Sequence, residues 1–371
     1  MRYISPTILI AFSGILLMFS ILYINKRVIV NLRFLSVIII LVSLMLFKTI
    51  IDGTELNVIL NFMFISIPPL VIFSYRFDSN AFMETCYNLS FVNFFLLVFL
   101  PLLDKKTAYM RFGYGIILTV IFSYLLVFRG TEHVGKMPMK NGHEWRRLIN
   151  LGILIVSSIE LVLFGCRGSL AVFLVFVAID VLMIYRKHTV RNFLLILAGF
   201  IAYFNMENIV GLLVQLTAHY GIYSYTIRKF QYQMATGLEE ASSGRGKLYQ
   251  EAINIIRENP LIGIRMINYE DGTKYVHNLF LQVGRDMGVI VMILSIIFVL
   301  YCLYILYAKG LEVEKKTIIA VIFCVSVGRL MVSSLLWSRP EFWILMCIVL
   351  NYKTIFDKYM PSKPINPVLI D

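Results

Sequence analysis

Long apolar runs separated by short polar connections dominate this chain of 371 residues. The runs are about 17 to 22 residues long, enough to carry an α-helix across a bilayer core. They lack the period-2 alternation of barrel strands, and backbone polar groups cannot go unpaired in lipid, so the pattern predicts helices. Eleven spans are expected: 7–24, 34–51, 58–75, 88–103, 112–128, 148–165, 168–185, 192–207, 285–307, 317–336 and 341–356. The expected fold is an all-α polytopic integral membrane protein with about 11–12 transmembrane helices.

One connection breaks the rhythm. Residues 208–276 form a single long loop, and loops of this length inside a compact fold usually carry function. The chain therefore divides into N-terminal helices (1–147), central helices with a tight hairpin at Arg167 (148–207), the large loop (208–276), and C-terminal helices with a tail (277–371). Within the loop, SSGRGKLYQEAINIIRENPLIG at 242–263 reads as a helix. Ser243 can cap its start, Asn259-Pro260 stops it and Gly263 turns the chain. At 100° per residue, Leu248, Tyr249, Ala252, Ile253, Ile255 and Ile256 share one arc, while Lys247, Gln250, Glu251, Asn254, Arg257 and Glu258 share the other. This amphipathic helix suits the outer membrane face or the top of the bundle.

Composition agrees with the pattern: 59% of residues are hydrophobic, 15% are charged, and the mean hydropathy is +0.80. The net charge of +12 does not point to nucleic acid, because the basic residues gather in alternate short loops. Lys26, Arg27 and Arg33 lie in one such loop, Arg129 to Arg147 in another, then Arg186 to Arg191, Lys309 to Lys316, and the tail. By the positive-inside rule these are cytoplasmic, which puts the N-terminus and the 208–276 loop outside and the C-terminus inside. Lys105, Lys106 and Arg111 run against the rule. The five cysteines are odd in number and mostly fall within spans, so they form no disulfide framework. The first run lacks a small-residue cleavage site and reads as a retained helix.

Candidate chemistry clusters on the expected outer side. Arg245 stands at the start of the loop helix, where unpaired N–H groups and a partial positive charge favour an anion. Gly244 and Gly246 let an anion approach the backbone, and Lys247 follows. The bland reading, an exposed Arg in a glycine-rich loop, has equal weight on this feature alone. Arg167, in FGCRGSL between two apolar runs, either snorkels to the headgroups or faces a polar cavity. Arg329 lies inside an expected span, where Glu160 or Asp180 could neutralise it. His277-Asn278 opens an apolar run, and on a helix from His277 the residues Leu281, Gly284 and Gly288 share its face. The glycines would leave a smooth groove for a neighbouring helix or a lipid chain. His277 at its mouth is either an interfacial histidine bonded to the loop or a base for a hydroxyl nucleophile.

No zinc-ligand spacing, P-loop, G-x-S-x-G or D-x-D-like cluster occurs, so no metal or cofactor is expected. A donor already activated on a membrane lipid would need neither. At this point the second half of the chain resembles the O-antigen polymerase and O-antigen ligase superfamily, multi-span glycosyltransferases of the GT-C type. The resemblance rests on CRGS at 166–169, SGRGKLYQEAINIIRENPLIG at 243–263, and His277-Asn278 followed by nine residues and Gly288. It covers about residues 148 to 340. Two positions depart from the family pattern: Arg265, where a second glycine is common, and Val291, where Thr or a small residue is favoured.

The resemblance implies a donor glycan carried on undecaprenyl diphosphate, in a bacterial inner membrane, with the site on its outer face. Arg167 and Arg245 would hold the diphosphate, His277 would act on the acceptor hydroxyl, and the isoprenoid tail would lie along Gly284 and Gly288. Asn278, Gly244, Gly246, Lys247 and Arg329 would line the substrate site. A chain-length regulator and a flippase are the implied protein partners. The short chain and Val291 favour a polymerase; the alternatives are a ligase or, outside enzymes, a flippase or other transporter of lipid-linked oligosaccharide.

Overall fold

The computed structural model describes residues 32–72, 78–103, 109–129, 143–184, 189–222, 224–240, 245–264, 266, 276–308 and 310–355. Among these no strand occurs, and the elements are helices: α1 Leu32–Asp52, α2 Leu56–Ile72, α3 Ser79–Leu97, α4 Tyr109–Arg129, α5 His143–Phe164 and α6 Arg167–Ile179. They continue as α7 Thr189–Phe204, α8 Met206–His219, α9 Tyr225–Glu240, α10 Arg245–Glu258, α11 Leu279–Tyr307, α12 Val313–Phe323 and α13 Pro340–Leu350. The protein is an all-α polytopic membrane protein.

The centre of the bundle is α4. Its apolar window is 72% buried, against 22% to 39% for the other long helices, because α3, α5 and α6 all pack on it. The outer helices keep rows of Leu, Ile, Phe and Val exposed, among them Ile50, Leu96, Leu174 and Leu294. In water such faces would associate; in a bilayer, hydrocarbon covers them.

Among the described residues, five helices are long and apolar enough to span a membrane: Leu32–Asp52, Tyr109–Arg129, Arg147–Phe164, Arg167–Ile184 and Leu279–Tyr307. The pair Asn192–Ile201 and Met206–His219, bent by 71°, makes a sixth if it is one span. Among the described residues, several expected spans are shorter or interrupted, because hydropathy does not report where the backbone helix breaks. The apolar stretches Leu56–Pro69 and Pro340–Leu350 are short. The expected 317–336 span breaks up: α12 passes into a π turn at Cys324–Gly328, and the helix ends after Leu330. Residues 331–339 then form a non-helical strap around a short 3₁₀ turn, Leu336–Ser338. The expected 88–103 span begins earlier, at Ser79, because the Asp78 side chain accepts from Asn80 N at 2.8 Å and caps it. The 7–24 run lies outside the described residues.

The loop helix α10 follows the sequence expectation closely. Ala252 and Ile256 are buried and Leu248, Tyr249, Ile253 and Ile255 half-buried, while Lys247, Gln250, Glu251, Asn254, Arg257 and Glu258 are exposed. Its apolar face lies on α11 at the top of the bundle. The expected cap Ser243 falls outside the described residues.

The α11 helix departs from expectation. It starts at Leu279, not His277, and it is broken at Gly288 (φ 85, ψ 174). The break separates the Val289 N–H from the Arg285 carbonyl, its ordinary helical partner. Both are satisfied by the turn that ends α10: Val289 N donates to Pro260 O at 2.7 Å, and Ile264 N donates to Arg285 O at 2.8 Å. A Cβ on Gly288 would lie 2.3 Å from Leu261 O, and one on Gly263 (φ 72) would lie 2.3 Å from Arg285 O. Only glycine fits at either position, since both also lie in the left-handed region. The Asn-Pro-Leu-Ile-Gly turn is thus plugged into the helix break.

Candidate active site

The hairpin between α5 and α6 is set by backbone contacts that larger residues would block. Cys166 caps α6, its Sγ accepting from Ser169 N at 3.4 Å. A Cβ on Gly113 of α4 would meet Ser169 Oγ at 2.5 Å and Cys166 N at 2.7 Å, so the glycine lets the hairpin press onto α4. From the loop, α9 ties itself to the same turn: Ser224 Oγ donates to Leu163 O at 2.5 Å and the Thr226 hydroxyl donates to Gly165 O. These bonds place Arg167, the first residue of α6, beneath α9, with its guanidinium 5.9 Å from the Phe230 ring centre.

Arg245 approaches from the other side as the first residue of α10, its Nη2 donating to Val332 O at 3.0 Å. Arg167, Arg245 and Lys229 line one narrow cleft of about 50 Å³, together with Tyr109, Tyr225, Thr226, Cys166 and Ser333. Several positive charges in a small half-closed space repel one another unless an anion joins them. The structure thus brings Arg167 and Arg245, two of the expected site residues, to one cleft.

His277 adjoins this cleft through the strap. Its ring hydrogen-bonds to the backbone of Val332, the residue whose carbonyl also takes Arg245. The Tyr249 hydroxyl of α10 donates to the His277 carbonyl at 3.3 Å. The imidazole is held below its ordinary pKa, first by burial and then by the Arg245 charge, while the bond to Val332 pulls the other way. Burial and the Arg245 charge thus favour the neutral imidazole, the form that can accept a proton.

The other expected site residues divide. Asn278 is the N-cap of α11: its Oδ1 accepts from Phe280 N at 3.0 Å and Leu281 N at 3.1 Å. That oxygen fixes the helix start beside His277. Gly246 and Lys247 are exposed on the first turn of α10, and a Cβ on Gly246 would meet nothing within 4 Å. Gly244 lies outside the described residues.

The expected groove along Gly284 and Gly288 is filled by the protein itself. A Cβ on Gly284 would meet Ile256 of α10 at 2.8 Å, and Gly288 receives the Pro260–Leu261 turn. Arg329 pairs with neither Glu160 nor Asp180. It donates to Glu341 Oε1 at 3.3 Å and Ser334 Oγ at 3.0 Å, and lies 4.3 Å over the Tyr114 ring. Asp180 instead forms an ion pair with Arg129 and accepts from the Tyr124 hydroxyl at 3.0 Å.

Sequence reasoning missed three features. Lys229 is one; Tyr225 and Lys229, four apart on a loop helix, place an aromatic ring and a cation on one face, and the ammonium sits 5.3 Å from that ring. The strap is another, signalled by Ser338-Arg339-Pro340, since the residue before a proline avoids helix. The third is Asp286, wholly buried in α11. Its Oδ1 accepts from Arg285 Nε and Nη2 at 3.0 and 2.8 Å, and its Oδ2 accepts from Trp337 Nε1 of the strap at 2.9 Å.

The family model described as O-antigen ligase matches residues 152–296. This segment runs from α5 to the middle of α11 and contains Arg167, Arg245 and His277. Over that segment the chain is similar to the O-antigen ligase family. The matched segment contributes Cys166, Arg167, Tyr225, Thr226, Lys229 and Arg245 to the cleft. Comparison with curated proteins and with solved structures finds no match.

Proposed function

We propose that this protein is a repeat-unit polymerase that transfers a glycan from undecaprenyl diphosphate to a sugar hydroxyl on the next lipid-linked unit. The observation that carries the reading is the convergence of Arg167, Arg245 and Lys229 on one cleft with His277 beside it. The donor's diphosphate would sit among the cations. The acceptor oxygen attacks the anomeric carbon and its proton passes to the neutral His277 imidazole. The C1–O bond breaks, and its electron pair leaves with the diphosphate, whose growing charge the guanidinium groups meet. A single displacement of this kind inverts the anomeric carbon.

Ligation is the second reading, favoured by the description of the matching family. Polymerisation is preferred because Val291 stands three residues after Gly288, at the place where Thr or a small residue is favoured. The two are separated by incubating the purified protein with lipid-diphosphate-linked repeat units alone. A ladder of products two or more units long supports the polymerase. Transfer only when a separate lipid-anchored saccharide acceptor is added identifies a ligase. Movement of the lipid across a vesicle membrane with no transfer in either arm would point to the flippase reading.

A further inference from the structure

A neutral imidazole acts as a base through one nitrogen only, because the other carries the proton. Which nitrogen does which is set by the partner that takes the N–H. For His277 that partner is Val332. The Val332 N–H is already used, donating to Arg329 O at 3.1 Å, so the ring reaches the Val332 carbonyl and is the donor. The upward pull of this bond on the imidazole pKa agrees with a carbonyl acceptor. The same oxygen takes Arg245 Nη2 at 3.0 Å. One backbone carbonyl, through its two lone pairs, thus serves two residues of the site.

A carbonyl in a non-helical segment orients a base only if the segment is itself held. Side chains hold the strap at 331–339. Ser334 Oγ accepts from Arg329 Nε at 3.0 Å, and Ser333 Oγ lies 2.5 Å from the Tyr114 hydroxyl. Further along, Trp337 is buried against Phe62 of α2 and Trp343 of α13, with ring centres 6.0 and 6.3 Å away. Its Nε1 donates to Asp286 Oδ2 at 2.9 Å. Arg285 Nε and Nη2 hold the other oxygen of Asp286 at 3.0 and 2.8 Å, which fixes the direction of the carboxylate. A buried ion pair is a poor source of net stability, so what its second oxygen holds matters more.

Asp286 belongs to α11, the helix that His277-Asn278 opens. The strap therefore meets one rigid element at two places. Val332 meets His277 just ahead of the first turn, and Trp337 meets Asp286 about 10 Å along the helix at the helical rise. Two attachments fix both the position and the tilt of the strap relative to the histidine. With one, the strap could pivot. Neither Asp286 nor Trp337 is among the residues that line the cleft, so any effect on transfer passes through the strap.

We propose that Asp286 and Trp337 are positioning residues of the transfer reaction: they lock the strap so that the Val332 carbonyl holds the proton-bearing nitrogen of His277 and reserves the other for the acceptor hydroxyl. This rests on the reading of His277 as the base given above.

The test is single-turnover transfer from a lipid-diphosphate-linked glycan by the purified full-length protein, with Trp337→Phe placed in the unmodified and in the His277→Ala backgrounds. The variant removes the N–H and keeps an aromatic ring. In the unmodified background it is expected to slow the step by about 10- to 100-fold, the scale of a small misplacement of a catalytic group. The donor concentration for half-maximal rate should stay the same. In the His277→Ala background the further loss should be under about twofold, because a residue acting through His277 has nothing left to orient. Equal losses in the two backgrounds would mark a general structural role and overturn the proposal. A raised half-saturating concentration at an unchanged maximal rate would place the effect on donor binding and overturn it too. If Trp337→Phe folds poorly, Trp337→benzothienylalanine, which swaps only the N–H for sulfur, carries the same expectations. An unmodified rate with either well-folded variant, beside slow transfer by His277→Ala, would overturn the positioning role and leave the base standing. An unmodified rate with His277→Ala itself would overturn both.

Discussion

His277 sits at φ 24, a conformation that costs a non-glycine residue strain and persists only where its surroundings enforce it. Here they do. Asn278 caps the following helix, the Tyr249 hydroxyl holds the His277 carbonyl, and the ring reaches the Val332 backbone. The histidine itself was legible as an unusual residue at a membrane boundary. Its strain and its partner were not, because Val332 lies far along the chain and contributes only backbone. A base whose pKa is depressed stays neutral to lower pH, so the acidic limb of the pH–rate profile should lie below the ordinary imidazole value of 6.5. Arg245 is the second cause of that depression. Among residual activities, Arg245→Gln should move the limb upward, whereas Arg245→Lys, which keeps the charge, should leave it in place. Comparing the two profiles checks the assignment; a limb unmoved by Arg245→Gln would separate the two residues.

At the scale of elements, the junction between α10 and α11 holds the site together. The amphipathic face of α10 was readable residue by residue, because period 3.6 reports which side is apolar whatever it packs against. What the glycines of α11 face was not readable. A glycine pair four apart looks the same whether a lipid chain or a backbone turn lies on it, and here the occupant is the turn at Pro260–Leu261. Gly288→Ala would force a Cβ to within 2.3 Å of Leu261 O at positive φ. The expected cost is about 1–3 kcal/mol from backbone strain alone, with displacement of α10 added. Gly246→Ala, where a Cβ meets nothing, should leave the melting temperature in detergent unchanged. The strap has a comparable anchor. Removing Asp286 leaves Arg285 and Trp337 without their buried acceptor, so Asp286→Ala should destabilise by about 3–5 kcal/mol.

For the whole molecule, hydropathy was enough to give the fold class, but the count of spans depends on where helices break, bend or stop. The expected sides depend on charge. Arg129, which donates to Thr317, and Lys316 sit at the bundle end opposite Arg167 and Arg245. If the positive-inside reading holds, a cysteine at Arg257 should react with an impermeant reagent in intact cells, and one at Lys353 should be protected; the reverse pattern would put the cleft on the cytoplasmic side. The central claim is that cations on α6 and α10 and the strained histidine before α11 form one catalytic unit. Its most direct test is single-turnover transfer from a lipid-diphosphate-linked glycan by purified protein. Arg167→Ala and Arg245→Ala should each slow the step by about 10² to 10³, and His277→Ala by about 10² to 10⁴, with circular dichroism unchanged. Transfer at the unmodified rate by well-folded His277→Ala and Arg245→Ala proteins would contradict the account.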